Sequence, residues 1–171
     1  MAFITGTGEL KRNAMITYVD VSTAEATTPT WEAVGVKIEE SAVEFNPEVN
    51  KITDILGDTH TSIDKIEPQQ SFDPFTLRKE SKLAEKLAAI MLVDKDLSKL
   101  SQFKVMRVYT FMGTDSAFTA DMQEDCTIEV ASIGGGTKLD MPITVHYSGK
   151  STMGTVDKIA SPTFTPDSGN S

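Results

Sequence analysis

Polar and apolar residues alternate in short runs along the first half of the chain. Ala14 to Val21 and Trp31 to Ile38 are rich in β-branched and aromatic residues and read as strands, joined by a Thr/Ala/Pro loop over 22–30. A long polar β-hairpin follows. It rises from Ser41 to Leu56, turns at Gly57-Asp58-Thr59 and returns from His60 to Glu67. In its first arm Val43, Phe45 and Val49 share one face, and Glu44, Asn46, Glu48, Asn50 and Asp54 share the other. Pro47 cannot donate to a ladder, so this arm is an edge or is broken there. A hairpin this long with so few apolar residues cannot bury itself in its own domain. It serves either as a subunit contact or as a water-facing wall.

The period changes once. Ser81 is a suitable N-cap, and Leu83, Leu87, Ile90 and Met91 then recur at i, i+4, i+7 and i+8 as one apolar stripe. This predicts a helix over 81–93 that lids a core, with Lys82, Glu85 and Lys86 off the stripe. Behind it the chain returns to strands, with Phe103–Met112, a turn at 113–116, and Phe118–Val130. In the last of these, Phe118, Ala120, Met122, Cys126, Ile128 and Val130 face one way. Thr119, Asp121, Gln123, Asp125, Thr127 and Glu129 face the other, which makes a second polar face. Gly134-Gly135-Gly136 is a loop, Leu139–Tyr147 a strand and Gly154–Ala160 a last one. Residues 1–13 read as a flexible arm and 161–171 as a loose tail, so that 1–171 forms a single domain, mainly β with one α-helix.

Composition narrows the function. With 171 residues, 39% hydrophobic and 24% charged, the chain is long enough and apolar enough for one real core. No apolar run approaches the ~20 residues that cross a bilayer, and the first residues do not read as a secretory signal. The single cysteine, Cys126, makes no internal disulfide and fits a reducing compartment. A formal net charge of −9 argues against gripping nucleic-acid phosphates. It is compatible with a surface past which DNA slides.

Candidate chemistry is sparse. His60, His146 and Cys126 are far apart and lack the short spacing of a zinc site. Asp54, Asp58 and Asp64 flank one turn without the regular ligand spacing of a calcium loop, so they read as solvated carboxylates. Neighbouring carboxylates such as Glu39/Glu40 and Glu124/Asp125 point to opposite strand faces and do not converge on a substrate. No nucleophile elbow surrounds a serine. Gly134 to Lys138 lacks the spacing of a phosphate loop and precedes a strand. The expectation is no enzyme, no metal and no cofactor. A small-ligand-binding β-barrel is a second reading, which requires an apolar pocket with convergent polar groups.

The order of features resembles the major tail (tail tube) proteins of long-tailed bacteriophages, over about residues 14–160. The resemblance rests on an arm leading into Trp31-Glu32-Ala33-Val34-Gly35-Val36-Lys37-Ile38, then the hairpin from Glu44-Phe45-Asn46-Pro47-Glu48 to Gly57-Asp58-Thr59-His60. Gln70-Ser71-Phe72-Asp73-Pro74-Phe75, the lone helix, Glu124-Asp125-Cys126-Thr127-Ile128-Glu129-Val130 and the Gly134-Gly135-Gly136 turn complete it. Related tube proteins serve contractile tails, phage-tail-like bacteriocins and type VI secretion.

The resemblance implies a β-sandwich or partly rolled barrel with one flanking helix. Six copies form a ring whose inner sheets join, and rings stack into a tube assembled in the host cytoplasm for the virion tail. The implied partners are other copies, the tape measure and tail terminator proteins, and DNA that passes without specific binding; no membrane is involved. Glu44, Asn46, Glu48 and Asn50 are expected to line the lumen, with the 121–129 polar face as a second contributor. Phe3, Ile4, Ile55, Leu56 and Ile63 are apolar residues outside the core pattern and are expected at contacts between rings.

Overall fold

The structure, a computed structural model, describes residues 3–4 and 7–168. In these residues the strands are β1 (Met15–Asp20), β2 (Trp31–Val34), β3 (Val43–Glu44), β4 (Glu48–Thr53), β5 (Thr59–Lys65) and β6 (Gln69–Phe72). Helix α1 (Lys82–Ala88) separates these from β7 (Phe103–Thr114), β8 (Ala117–Val130), β9 (Ile143–His146), β10 (Ser151–Val156) and β11 (Phe164–Pro166). The sheet order is β2-β1-β7-β8-β9-β6-β3. One edge of β8 carries β7; β10 joins along Phe118–Gln123 and β9 along Thr127–Val130. β8 thus belongs to two sheets, and the curl brings them face to face. Across the interior, Thr17 of β1 donates to Gln70 Oε1 of β6 at 2.9 Å. This is the mainly β, one-helix, partly rolled architecture expected.

The helix closes this interior. Ser81 Oγ accepts from Ala84 N at 3.1 Å, the N-cap the sequence indicates. Glu32 of β2 reinforces it, accepting from Ser81 Oγ at 2.5 Å and from Leu83 N at 3.0 Å, so a carboxylate sits at the positive end of the helix. Leu83, Leu87 and Ile90 are buried with Phe72, Phe75 and Phe103. Each buried aliphatic side chain contributes roughly 1.5–3 kcal/mol. The α-helix ends at Ala88, and the rest of the predicted 81–93 span widens into a π-type turn over Ala89–Asp94, closed by Lys95 N to Ile90 O at 2.8 Å.

A second cluster lies on the outer face of the β1-β7-β8-β10 sheet. Tyr18, Met106, Val108, Ala120 and Val156 are buried there, with Phe164 of β11 packed on them. A Cβ on Gly154 would meet the Phe164 ring at 2.7 Å and Thr165 O at 2.3 Å, so the bare glycine lets β11 close in. The segment read as a loose tail therefore carries a strand; residues 169–171 lie outside the described residues.

Other boundaries move for local reasons. The second strand stops at Val34, because Gly35 (φ 132°) and Lys37 (φ 64°) turn the chain where the sequence indicates a strand to Ile38. The turn expected over 113–116 narrows to Asp115-Ser116, since Thr114 pairs with Ala117 and Gly113 with Phe118. The last two strands shift to Ile143–His146 and Ser151–Val156.

Candidate functional site

The hairpin is built in two storeys. At its root β3 pairs with β6, and beyond it β4 pairs with β5 as a separate two-stranded ribbon. The break falls at Pro47, with Asn46 at φ 43° and its amide donating to Glu67 O at 3.2 Å. Every residue of β4 and β5 is exposed. Val49 stands opposite Ile63 on one face and Ile52 opposite His60 on the other, so neither face is purely polar. Phe45, on the Val43–Val49 face of the first arm, is exposed at the root.

Asp54 holds the tip. Its Oδ1 accepts from Leu56 N at 2.9 Å and Asp58 N at 3.0 Å, and its Oδ2 lies 3.1 Å from His60 Nε2. The His60 contact, then the turn N–H groups, hold the Asp54 carboxyl below the usual aspartate range. This turn presents Ile55 (102% exposed) and Leu56 (83%) to solvent.

The second feature is a polar sheet face. Glu44, Gln69, His146 and Thr127 form one cross-strand row over β3, β6, β9 and β8. Ser71, Thr144 and Glu129 form the next. Hydrogen bonds tie the rows. Gln69 Nε2 donates to Glu44 Oε2 at 3.0 Å, His146 Nε2 lies 2.9 Å from Glu129 Oε2, and the Ser71 and Thr144 hydroxyls are 3.1 Å apart. The alternate residues Gln70, Phe72, Ile128, Ile143 and Val145 are buried on the opposite side. The two polar faces that compete in the sequence thus meet in part, because Glu44 shares a face with Thr127 and Glu129. Asn46 lies at the break, and Glu48 and Asn50 lie on the ribbon, outside this sheet. In the sequence His146 is weighed only as a metal ligand, and Gln69 and Thr144 carry no assigned role; alternation in β6 and β9 is their only signal for this face.

Of the rest of the second expected face, Asp125 stays exposed and the other three positions are overturned. Thr119, Asp121 and Gln123 are buried. The cause is a bulge, since Val105 pairs with Gln123 but Phe103 with Cys126, with Asp125 at φ 52°. Two residues of β8, Glu124 and Asp125, stand against the single Lys104 of β7, and this one extra residue reverses the phase of the strand, so these polar side chains fall on the side that Cys126 and Ile128 occupy.

Inside, they join a network. Arg107 pairs with Asp121, which also accepts from Gln123 Nε2 at 3.1 Å and from Ser151 Oγ. The guanidinium lies 4.4 Å from the Tyr147 ring centroid. Tyr147 Oη donates to Gln70 Oε1 at 2.7 Å, and burial pushes the Tyr147 hydroxyl pKa up. Gln70 Nε2 donates to Ser41 Oγ at 3.1 Å. Arg107 Nε is buried without a partner.

His60 sits on the ribbon, His146 on the sheet face and Cys126 in the core. Among the described residues no group of three or more His, Cys, Asp or Glu is gathered to hold a metal. An open groove of about 790 Å³ lies beside the helix end, lined in part by Ala24, Pro29, Ile90 and Phe103. Its lysines are engaged: Lys86 donates to Ser22 O, Lys99 pairs with Asp94 and Lys104 with Glu124. The described strands and helix enclose side chains packed on one another between the sheets, and the groove lies to one side of them.

Phe3 and Ile4 of the arm lie against β7. Phe3 bridges to Met112 in antiparallel sense, and Ile4 N donates to Phe111 O at 2.9 Å.

No protein-family model matches the sequence, and no curated protein matches it. Among solved structures, the chain is similar to one in the cryo-EM structure of an extracellular contractile injection system, the PVC sheath–tube complex in its extended state. The identity is 9% and the TM-score 0.48, over 86% of this chain and 93% of that one. It is also similar to a chain in the cryo-EM structure of the anti-feeding prophage cap, the AFP tube-terminating cap. There the identity is 10% and the TM-score 0.48, over 89% of this chain and 95% of that one.

Proposed function

We propose that this chain is a structural subunit of a bacteriophage tail tube, six copies forming a ring and rings stacking around a bore that conducts DNA. The observation that carries the reading is the β4–β5 ribbon. It is exposed throughout and bears Val49, Ile52 and Ile63 along its length and Ile55 and Leu56 at its tip. An isolated two-stranded ribbon is at best marginally stable in water, and apolar residues exposed on both faces call for a partner. Neighbouring rings supply one. The resemblance of the sequence to tail tube proteins supports the same reading.

The polar face of β3-β6-β9-β8 is the wall of the bore in this proposal. Hydroxyl, amide and carboxylate groups already bonded to one another present few free donors to a phosphate backbone. Glu44 and Glu129, repeated around a ring, repel it. Assembly then occurs in the host cytoplasm, with tape measure and terminator proteins as partners and the virion tail as destination.

Electron microscopy of the concentrated protein tests the reading. Rings or tubes are expected; persistent monomers under all conditions, with no copies in a virion, overturn it. Tubes recovered from particles that hold no DNA would move the chain to the bacteriocin or secretion branch.

A further inference from the structure

β7 outruns its neighbour. β1 pairs with it from Val19–Val105 to Met15–Tyr109 and stops, while β7 continues to Thr114. Beyond Tyr109, β8 pairs only with Gly113 and Thr114, across a register shift, and no core strand pairs with Thr110–Thr114 on the other edge. An uncovered edge of this kind is a template for another strand. The chain's own arm occupies it through the Phe3–Met112 bridge and the Ile4–Phe111 hydrogen bond. The Phe3 and Phe111 rings meet edge-on at 5.4 Å between centroids.

Two observations set this contact apart from ordinary strand pairing. Phe3 remains 68% exposed although it is docked, so the contact leaves most of an aromatic ring in water. The arm is also joined to the body through an exposed link. Residues 7–11 lie in solvent, with Gly8 at φ 116°, a conformation that favours glycine. The body begins where Arg12 donates to Ser41 O at 2.9 Å and to Met15 O at 2.8 Å.

We propose that Thr110–Thr114 is a strand-acceptor site, and that in the assembled state it receives Phe3–Ile4 of a second copy in place of the chain's own arm. This rests on the self-association proposed above. Exchange of an identical element keeps the contacts of the closed form, so it costs little. It also brings a neighbour's surface to a ring that one copy cannot cover. The exposed segment 7–11 then lies on the crossing between copies, and each subunit is both donor and acceptor.

Cysteine pairing between two chains tests the exchange. One chain carries Phe3→Cys and the other, distinguishable by a mass tag, carries Met112→Cys. Residues facing across an antiparallel pair lie within disulfide reach, and Cys126 is fully buried and stays out of the reaction. The two chains are mixed, assembled, oxidised and separated on a denaturing gel. The expected result is a mixed-chain disulfide at least tenfold enriched in the assembled fraction over the unassembled one. Ile4→Cys with Phe111→Cys, one position along the same register, gives a second pair should the first block assembly. Assemblies that form with no mixed-chain link, while a chain carrying both cysteines links only to itself, overturn the exchange and leave the tube reading intact. Failure of the unmodified protein to assemble at all removes both.

Discussion

Arg107 and Asp121 stand directly opposite each other in the β7–β8 register and meet as an ion pair inside the fold, where Arg107 is only 7% exposed. A charge pair in this position repays its desolvation only when nearly every remaining polar group is bonded. Here Gln123, Ser151 and the Tyr147 ring provide that shell.

Asp121→Ala is therefore expected to cost about 3–5 kcal/mol, because it leaves a buried guanidinium unpaired. Arg107→Met combined with Asp121→Leu is expected to be far milder. Chemical denaturation of both variants checks this. Equal losses in the single and double changes would mean that the pair is not what the surrounding fold depends on.

Burial gives Tyr147 a pH signature. Its proton is held more tightly in the folded chain than at the ordinary tyrosine value of 10.0, with desolvation as the leading cause. A raised folded-state pKa contributes stability that is fully present below the unfolded value and is lost as pH rises beyond it. Stability should thus fall steadily above about pH 10, and Tyr147→Phe should flatten that fall while losing the bond to Gln70. Denaturant midpoints measured across the alkaline range decide it; identical slopes for the two chains would count against the assignment.

How much of this was legible in the sequence depends on the range of the cause. The helix was, because its cap and its Leu83–Leu87–Ile90 stripe are local. The burial of Asp121 was not. Alternation predicts a wet face there, and nothing in Glu124-Asp125 announces a bulge until the register with β7 is known. The polar wall was half legible. Glu44 and Glu129 could each be assigned to a polar face, but their meeting depends on β6 and β9, whose pairing joins distant parts of the chain. Phe164 was hidden by flanking prolines, which suit an edge strand as well as a tail.

Ile55 and Leu56 should matter for assembly and not for folding. Changing both to Asp is expected to leave the melting temperature of the subunit within a few degrees, since neither touches the core, and to abolish tube growth. Scattering or microscopy on the double variant checks it, and normal polymerisation would remove the ribbon tip from the inter-ring contact.

The wall makes a different demand. Glu44→Lys with Glu129→Lys places cations on the proposed bore surface without disturbing the buried side of the sheet. Tubes should still form, and DNA passage should slow, most at low salt where screening is weakest. Ejection kinetics at two salt concentrations would show it. Finding both side chains on the outside of an assembled tube would end the assignment.

The shared strand also governs time. The β7–β8 hairpin closes over a two-residue turn and can form early, whereas β6 must find β9, and β1 must find β7, across most of the intervening chain. Such distant pairings pay their loop-closure entropy before they are rewarded, which places folding in the millisecond-to-second range typical of β-rich topologies. The β4–β5 ribbon, marginal on its own, then waits for its root strands β3 and β6 to be placed, so the proposed assembly surface takes shape only once the body is complete.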